Sequence, residues 1–235
     1  MDNVSISWSK DVVADFPSLS LGYLKIIGVR VMPRNEAMDQ FIREKERYLR
    51  SKYRLESLKD VPIIRKYRDF FWRMGIDPTK VRPASEALLR RILRGKGLPR
   101  ISNVVDAYNL ASVESLITLS AYDLSKINPP LKVRYADTNE EVLLIGGRRR
   151  ILNGEEIVLA DASGILCVYV HGDAERSKVR RSTRELLLVA YGAPSIEEEY
   201  LVKALEIAMK YIVRFSGGTP RNIVISSPNK GDLVY

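Results

Sequence analysis

Apolar residues alternate with polar ones at Val4, Ile6 and Trp8, and a second apolar run extends from Leu21 to Met32 with Gly22 and Gly28 inside it; both read as strands. From Asn35 the period lengthens. Met38, Phe41, Ile42, Tyr48 and Leu49 fall on one helical face, while Arg43, Lys45, Arg47, Arg50, Lys52 and Arg54 lie mostly elsewhere, which predicts an amphipathic helix with a basic outer surface. Residues 61–74 carry Ile64, Tyr67, Phe71 and Trp72 at helical spacing, closed by Gly75 and Pro78. Pro83 opens a further helix that buries Ala84, Leu88, Ile92 and Leu93 until Gly95, Gly97 and Pro99 stop it. Residues 103–119 read as one more helix.

After Pro129-Pro130 the pattern turns to strands over 131–135, 141–145, 157–160, 165–170 and 186–190, punctuated by Asn153-Gly154 and Ser163-Gly164. The stretch 165–170 is apolar on both faces, as in a strand covered on both sides. Ser195 and Glu198 have capping-box spacing before an apolar stripe of Leu201, Ala204, Leu205, Ala208, Ile212 and Phe215 that ends at Gly217-Gly218. Ile223 to Ile225 reads as an edge strand. No internal repeat is visible, and the predicted class is α/β (α+β), a mixed sheet covered by helices.

Composition narrows the chemistry. Of 235 residues, 46% are hydrophobic, enough for a sizeable core, and 38 Lys and Arg against 29 Asp and Glu leave a formal charge of +9, which favours a polyanionic partner. One Cys and one His cannot build an internal disulfide or a Cys/His zinc cluster, so no metal or cofactor is expected and a reducing, cytoplasmic location is. No stretch has the length and apolarity of a membrane span, and no secretory signal opens the chain.

The basic residues cluster twice: Arg82, Arg90, Arg91, Arg94, Lys96 and Arg100 in one stretch, and Arg176, Lys178, Arg180, Arg181 and Arg184 in another. Either cluster is a candidate for phosphate contact, since the guanidinium fork matches phosphate; the bland alternative is a solvated face. The glycines lack the spacing of a nucleotide-binding loop, and no carboxylate pair stands out for glycoside hydrolysis. Cys167 lies in an apolar strand, where a thiol behaves as a small hydrophobe. His171 follows that strand at a loop, where it either reaches a substrate or serves as an ordinary hydrogen-bonded residue. Asp106, Asn109, Glu114 and Asp123 form a polar row through apolar sequence, and Asn103 to Asp106 reads as a helix cap.

Longer strings carry a resemblance. Residues 82–99 (RPASEALLRRILRGKGLP) lead into 101–109 (ISNVVDAYN) and 121–127 (AYDLSKI), followed by 152–161 (LNGEEIVLAD) and 177–183 (SKVRRST). Over residues 81–215 this resembles the B3/B4 domain of the phenylalanyl-tRNA synthetase β subunit, more closely its free-standing version. The resemblance implies an editing module that binds the 3′ end of a mischarged tRNA and hydrolyses the ester, with a substrate pocket between sheet and helices. By this likeness Asn109 and Ser177 match pocket residues, and Tyr108 stands where the synthetase commonly has Thr. Ser120 stands at the pocket His, and Val189 at the Glu that recognises the hydroxyl of misacylated tyrosine.

The expectation is therefore a tRNA-binding deacylase with residues 81–235 as the B3/B4-like domain and residues 1–80 packed on it through Phe41, Phe71 and Trp72. Asn109 and Ser120 are placed at the ester, Tyr108, Asp123, His171, Asp173, Ser177 and Val189 in the pocket, and Arg82, Arg90, Arg91, Arg94, Lys96, Arg176 and Lys178 along the RNA. Backbone amides near His171, Gly172 and Asp173 are candidates for the oxyanion. The alternatives are a noncatalytic RNA-binding protein and an accessory subunit that docks to an aminoacyl-tRNA synthetase through residues 1–80.

Overall fold

The computed structural model describes residues 4–228 and 231–235. In chain order the elements are β1 (Ile6–Trp8), α1 (Lys10–Asp15), β2 (Leu21–Ile27), α2 (Glu36–Lys52), α3 (Pro62–Arg73), α4 (Ala84–Leu93), α5 (Asn103–Ser115), β3 (Thr118–Asp123), β4 (Leu131–Tyr135), β5 (Glu141–Leu144), β6 (Arg148–Ile151), β7 (Ile157–Asp161), β8 (Gly164–Val168), β9 (Gly172–Asp173), β10 (Glu185–Tyr191), α6 (Glu198–Ser216), β11 (Thr219–Pro220), β12 (Val224–Ser227) and β13 (Gly231–Val234). One sheet has the order β1-β4-β7-β8-β9, and a second runs β13-β12-β2-β10-β3 with β11 also paired to β2; β5 and β6 form a separate hairpin. The β1–β4 pair is parallel and the other pairs are antiparallel, so the mixed α and β architecture is as expected.

Residues 1–80 contribute to both large sheets: β1 pairs with β4, and β2 lies between β12 and β10. The Tyr23 hydroxyl donates to the Val4 carbonyl (2.8 Å), and Trp8 Nε1 donates to Ser226 Oγ (3.0 Å), which ties the N-terminal strand to the second sheet. Helix α6 approaches β2 so closely that a Cβ at Gly22 would meet Leu205 Cδ1 at 2.8 Å, which accounts for a glycine in an otherwise β-forming run. Helices α5 and α6 pack together over this sheet. Among the described residues, no helix is long and apolar enough to cross a membrane.

Several expectations are corrected. The helix expected over 103–119 ends at Ser115; Leu116 adopts φ 63°, and β3 follows at once. Ser195 is not a cap: its φ is 69°, and Glu197 occupies the N-cap of α6. The strand at 223–225 is not an edge, because β13 covers its outer side. Tyr48 lies on the exposed side of α2. Of the aromatics expected to seat the N-terminal region, Phe71 is buried and Phe41 packs against Tyr211 and Phe215, but Trp72 is 55% exposed and Phe70 takes the buried position instead.

Candidate functional site

Strand β3 is an edge of the larger sheet and β9 an edge of the smaller one, and a cavity of about 230 Å³ opens where they approach. Helix α5 supplies Tyr108 and Asn109, β3 supplies Thr118 to Ser120, and β8 with the turn after it supplies Cys167, Tyr169 and His171. Asp173 comes from β9, Tyr191 from β10, Phe71 from α3, and Arg82 from the approach to α4. A larger open groove of about 370 Å³, lined by Phe16, Arg73, Met74, Tyr135 and Glu155, contains none of the expected site residues. The smaller cavity collects the polar chemistry, and chemistry rather than size selects it.

At its base is a directed hydrogen-bond chain. The Tyr122 hydroxyl donates to Asp173 Oδ1 at 2.6 Å and lies 2.6 Å from the Tyr191 hydroxyl. With its own proton committed to the carboxylate, Tyr122 accepts from Tyr191. Ser120 and Cys167 also donate to Asp173. Burial pushes the Asp173 carboxyl above the usual carboxylate range, and those three donors pull it partly back. Burial likewise pushes the Cys167 thiol far up, so it stays protonated and is no nucleophile at neutral pH. Tyr108 is raised by burial first and by the Asp173 and Asp106 charges after it.

His171 is lowered, chiefly by burial and then by Arg150 and Arg148, so the ring is neutral near pH 7. Both arginines sit on β6 opposite the buried Val142 and Leu144, on one face of the β5–β6 hairpin. Sequence reasoning passed over them, because an Arg-Arg-Arg run in an exposed hairpin carries no motif. The Asn109 amide makes no hydrogen bond to the described residues, and Arg82 Nε is buried with no acceptor. Both are free for a ligand.

Other sequence candidates lie elsewhere. Asp123 accepts from Ser125 and from the Thr183 hydroxyl (2.7 Å) and closes a turn rather than lining the cavity. Ser177 is fully buried outside the lining, and Val189 is fully buried with Ser120 as its register partner. The His171 N–H donates to the Val168 carbonyl (2.9 Å), so that amide is spent within the turn and does not face an oxyanion. Among the described residues, no three His, Cys, Asp or Glu side chains group so as to hold a metal ion.

The RNA-facing candidates divide. Arg91, Arg94 and Lys96 are exposed at the end of α4. Arg90 Nε donates to the fully buried Glu86 at 2.7 Å, alongside Arg68. Arg176 is spent on Asp161 and on the carbonyls of Lys126, Gly164 and Ile165, and Lys178 pairs with Glu175.

The sequence model of the B3/4 domain family matches residues 66–227. The chain is 34% identical to the phenylalanine–tRNA ligase beta subunit of Tropheryma whipplei over 120 residues, 51% of this chain and 12% of that one. It is 29% identical to the corresponding subunit of Legionella pneumophila (strain Lens) over 166 residues, 61% of this chain and 21% of that one. It therefore spans about a fifth or less of the length of these relatives. A solved N-terminal fragment of the phenylalanyl-tRNA synthetase beta subunit from Pyrococcus horikoshii superposes with a TM-score of 0.52 at 14% identity, covering 95% of this chain and 52% of that one, a likeness of fold.

Proposed function

Because the chain belongs to the B3/4 domain family, we propose that it binds tRNA and hydrolyses the ester of mischarged aminoacyl-tRNA in the cavity between β3 and β9. The observation that carries this reading is the convergence of Asn109, Ser120, Tyr108, His171 and Asp173 from three separate segments on one cavity. Water attacks the ester carbonyl carbon, the bond to the ribose oxygen breaks, and the ribose hydroxyl leaves with a proton. Such an ester already has a good leaving group, so positioning and electrostatics suffice without a covalent nucleophile. The unpartnered Asn109 amide is suited to the carbonyl oxygen, and Ser120, held by Asp173, to the water.

Val189, read by the likeness at the phenol acceptor, brings no carboxylate and is fully buried in register with Ser120 rather than part of the cavity lining. A buried unpaired hydroxyl costs about 1–3 kcal/mol, so tyrosine is disfavoured and an apolar wall discriminates weakly among small side chains. The test is single-turnover deacylation over the full panel of mischarged tRNAs. Several substrates should turn over, and Asn109→Ala and Ser120→Ala should lower turnover more than tRNA affinity. Background rates throughout with tRNA binding intact would favour a second reading, a noncatalytic RNA-binding protein, to which the Ser at position 120 lends support. Brisk hydrolysis of Tyr-tRNA alone would contradict the role given to Val189.

A further inference from the structure

The Asp173 carboxylate is in an unusual position. It lines the cavity and takes hydrogen bonds from Tyr122, Ser120 and Cys167, all of them neutral, and no Lys or Arg is paired with it among the described residues. The buried carboxylates of Glu86 and Asp161 each have a guanidinium within hydrogen-bond distance, whereas buried Asp123, which has none among the described residues, is closed into a turn by Ser125 and Thr183 and does not line the cavity. Asp173 is half-buried, and a charge there without a countercharge is costly, while the cavity beside it gives room for one to be supplied from outside. The walls fit a cation: Phe71, Tyr108, Tyr169 and Tyr191 line the same space, and aromatic faces attract ammonium groups. The volume equals that of roughly seven or eight waters, at about 30 Å³ each. Arg82 Nε, buried in the same lining without an acceptor, provides a donor for a carbonyl or carboxylate oxygen.

We propose that Asp173 is the anchor for a primary ammonium group, so that the cavity recognises an α-amino acid unit by its free amine, with Arg82 toward its carbonyl or carboxylate end. This rests on the reading of the cavity as an aminoacyl site and adds the group by which it selects. A free amino acid and an aminoacyl ester share that ammonium, and the experiment separates them. An ammonium bound here also offsets the burial that raises Asp173 and returns the carboxyl toward its ionised form.

Binding of the methyl esters of L-alanine, L-phenylalanine and L-tyrosine is measured by calorimetry on the full chain, beside their N-acetyl derivatives and the free amino acids. The amines should bind about tenfold to a hundredfold more tightly than their N-acetyl forms, and Asp173→Asn, which keeps an acceptor for Tyr122, should abolish that preference while the thermal transition is retained. Equal affinity of free and blocked amines for the wild-type chain overturns the proposal without needing the variant, as does absence of binding by every amine. Tight binding of the N-acetyl tyrosine ester alone overturns it by assigning Asp173 to a phenol. Esters binding while free amino acids do not identifies the ester as the source; the reverse identifies the free amino acid. Amine-selective binding with no tRNA deacylation leaves this inference standing and removes the hydrolytic reading, whereas N-acetylaminoacyl-tRNA cleaved as fast as its free-amine counterpart does the opposite.

Discussion

Two arginine-rich stretches of similar composition meet different fates. Around the end of α4, Arg91, Arg94 and Lys96 reach solvent with no carboxylate partner among the described residues, while after β9 Arg176 and Lys178 are taken up by Asp161 and Glu175. The difference is set by what lies beneath. Asp161, whose side chain is fully buried, ends β7 beside the Ser163-Gly164 turn, and the guanidinium fork of Arg176 satisfies it together with the carbonyls of Lys126, Gly164 and Ile165. The end of α4 offers only the Gly97 carbonyl, which takes Arg91 Nε at 2.7 Å and leaves the rest of that guanidinium free. Charge density alone does not reveal an interface; unspent charge does.

The comparison is broken most directly by removing the inward cations. Arg90→Glu sets a second carboxylate against buried Glu86, and Arg176→Ala strands Asp161; each should cost about 3–5 kcal/mol in urea unfolding, the scale of an orphaned buried charge. An effect below about 1 kcal/mol would show these arginines to be as free as those at the end of α4. Arg90→Glu is accordingly unsuitable for testing RNA contact.

The complementary change, Arg91→Glu with Arg94→Glu and Lys96→Glu, should leave stability nearly unchanged and weaken tRNA binding. If all three meet phosphates, the slope of log affinity against log salt should shrink by about 2–3, at roughly 0.7–0.9 per phosphate. Filter binding at several salt concentrations measures it. An unchanged slope, or an equal loss from Lys178→Ala alone, would erase the distinction between the two stretches.

The same contrast explains what the sequence made legible. Helices α3, α4 and α6 stand out because their stripes end in Gly or Pro, α2 because its apolar face is set against a basic one, and the central strands because their apolar runs are bounded by turns. Strand β3 is hidden because the break from α5 falls at Leu116, a left-handed non-glycine in a stretch, 103–119, that contains neither Gly nor Pro. The β5–β6 hairpin drew attention only on its first strand, since Arg148 to Ile151 is exposed throughout and has no period-2 alternation. The sequence singles out Asn109, Ser120 and His171, which the fold brings to one cavity, but Tyr122 and Cys167 beside Asp173, and Tyr191 beside Tyr122, read as ordinary core residues. Their polar atoms converge through the β3–β10 pairing in one sheet and the β8–β9 pairing in the other.

The smallest expected effect concerns a third kind of carboxylate, neither fully paired nor open to a ligand. Asp106 is fully buried in α5, accepts from the Ile101 N–H (3.0 Å), and has Arg34 only at 3.5 Å. Burial outweighs these partners and pushes its carboxyl up to about 6 from 3.8. The folded chain therefore holds this proton more tightly than the unfolded one. The stabilisation from protonation is complete below about pH 3.8 and is lost as pH rises through about 6. Asp106→Asn keeps an oxygen acceptor for Ile101 but cannot titrate, so its stability relative to wild type should rise by about 1–1.5 kcal/mol between pH 5 and pH 7. Urea unfolding of both proteins at the two pH values measures the gap. A gap that does not move would mean that Arg34 pairs with Asp106 as fully as Arg176 does with Asp161, and one that narrows as pH rises would mean that the ionised carboxylate is the better partner in this fold.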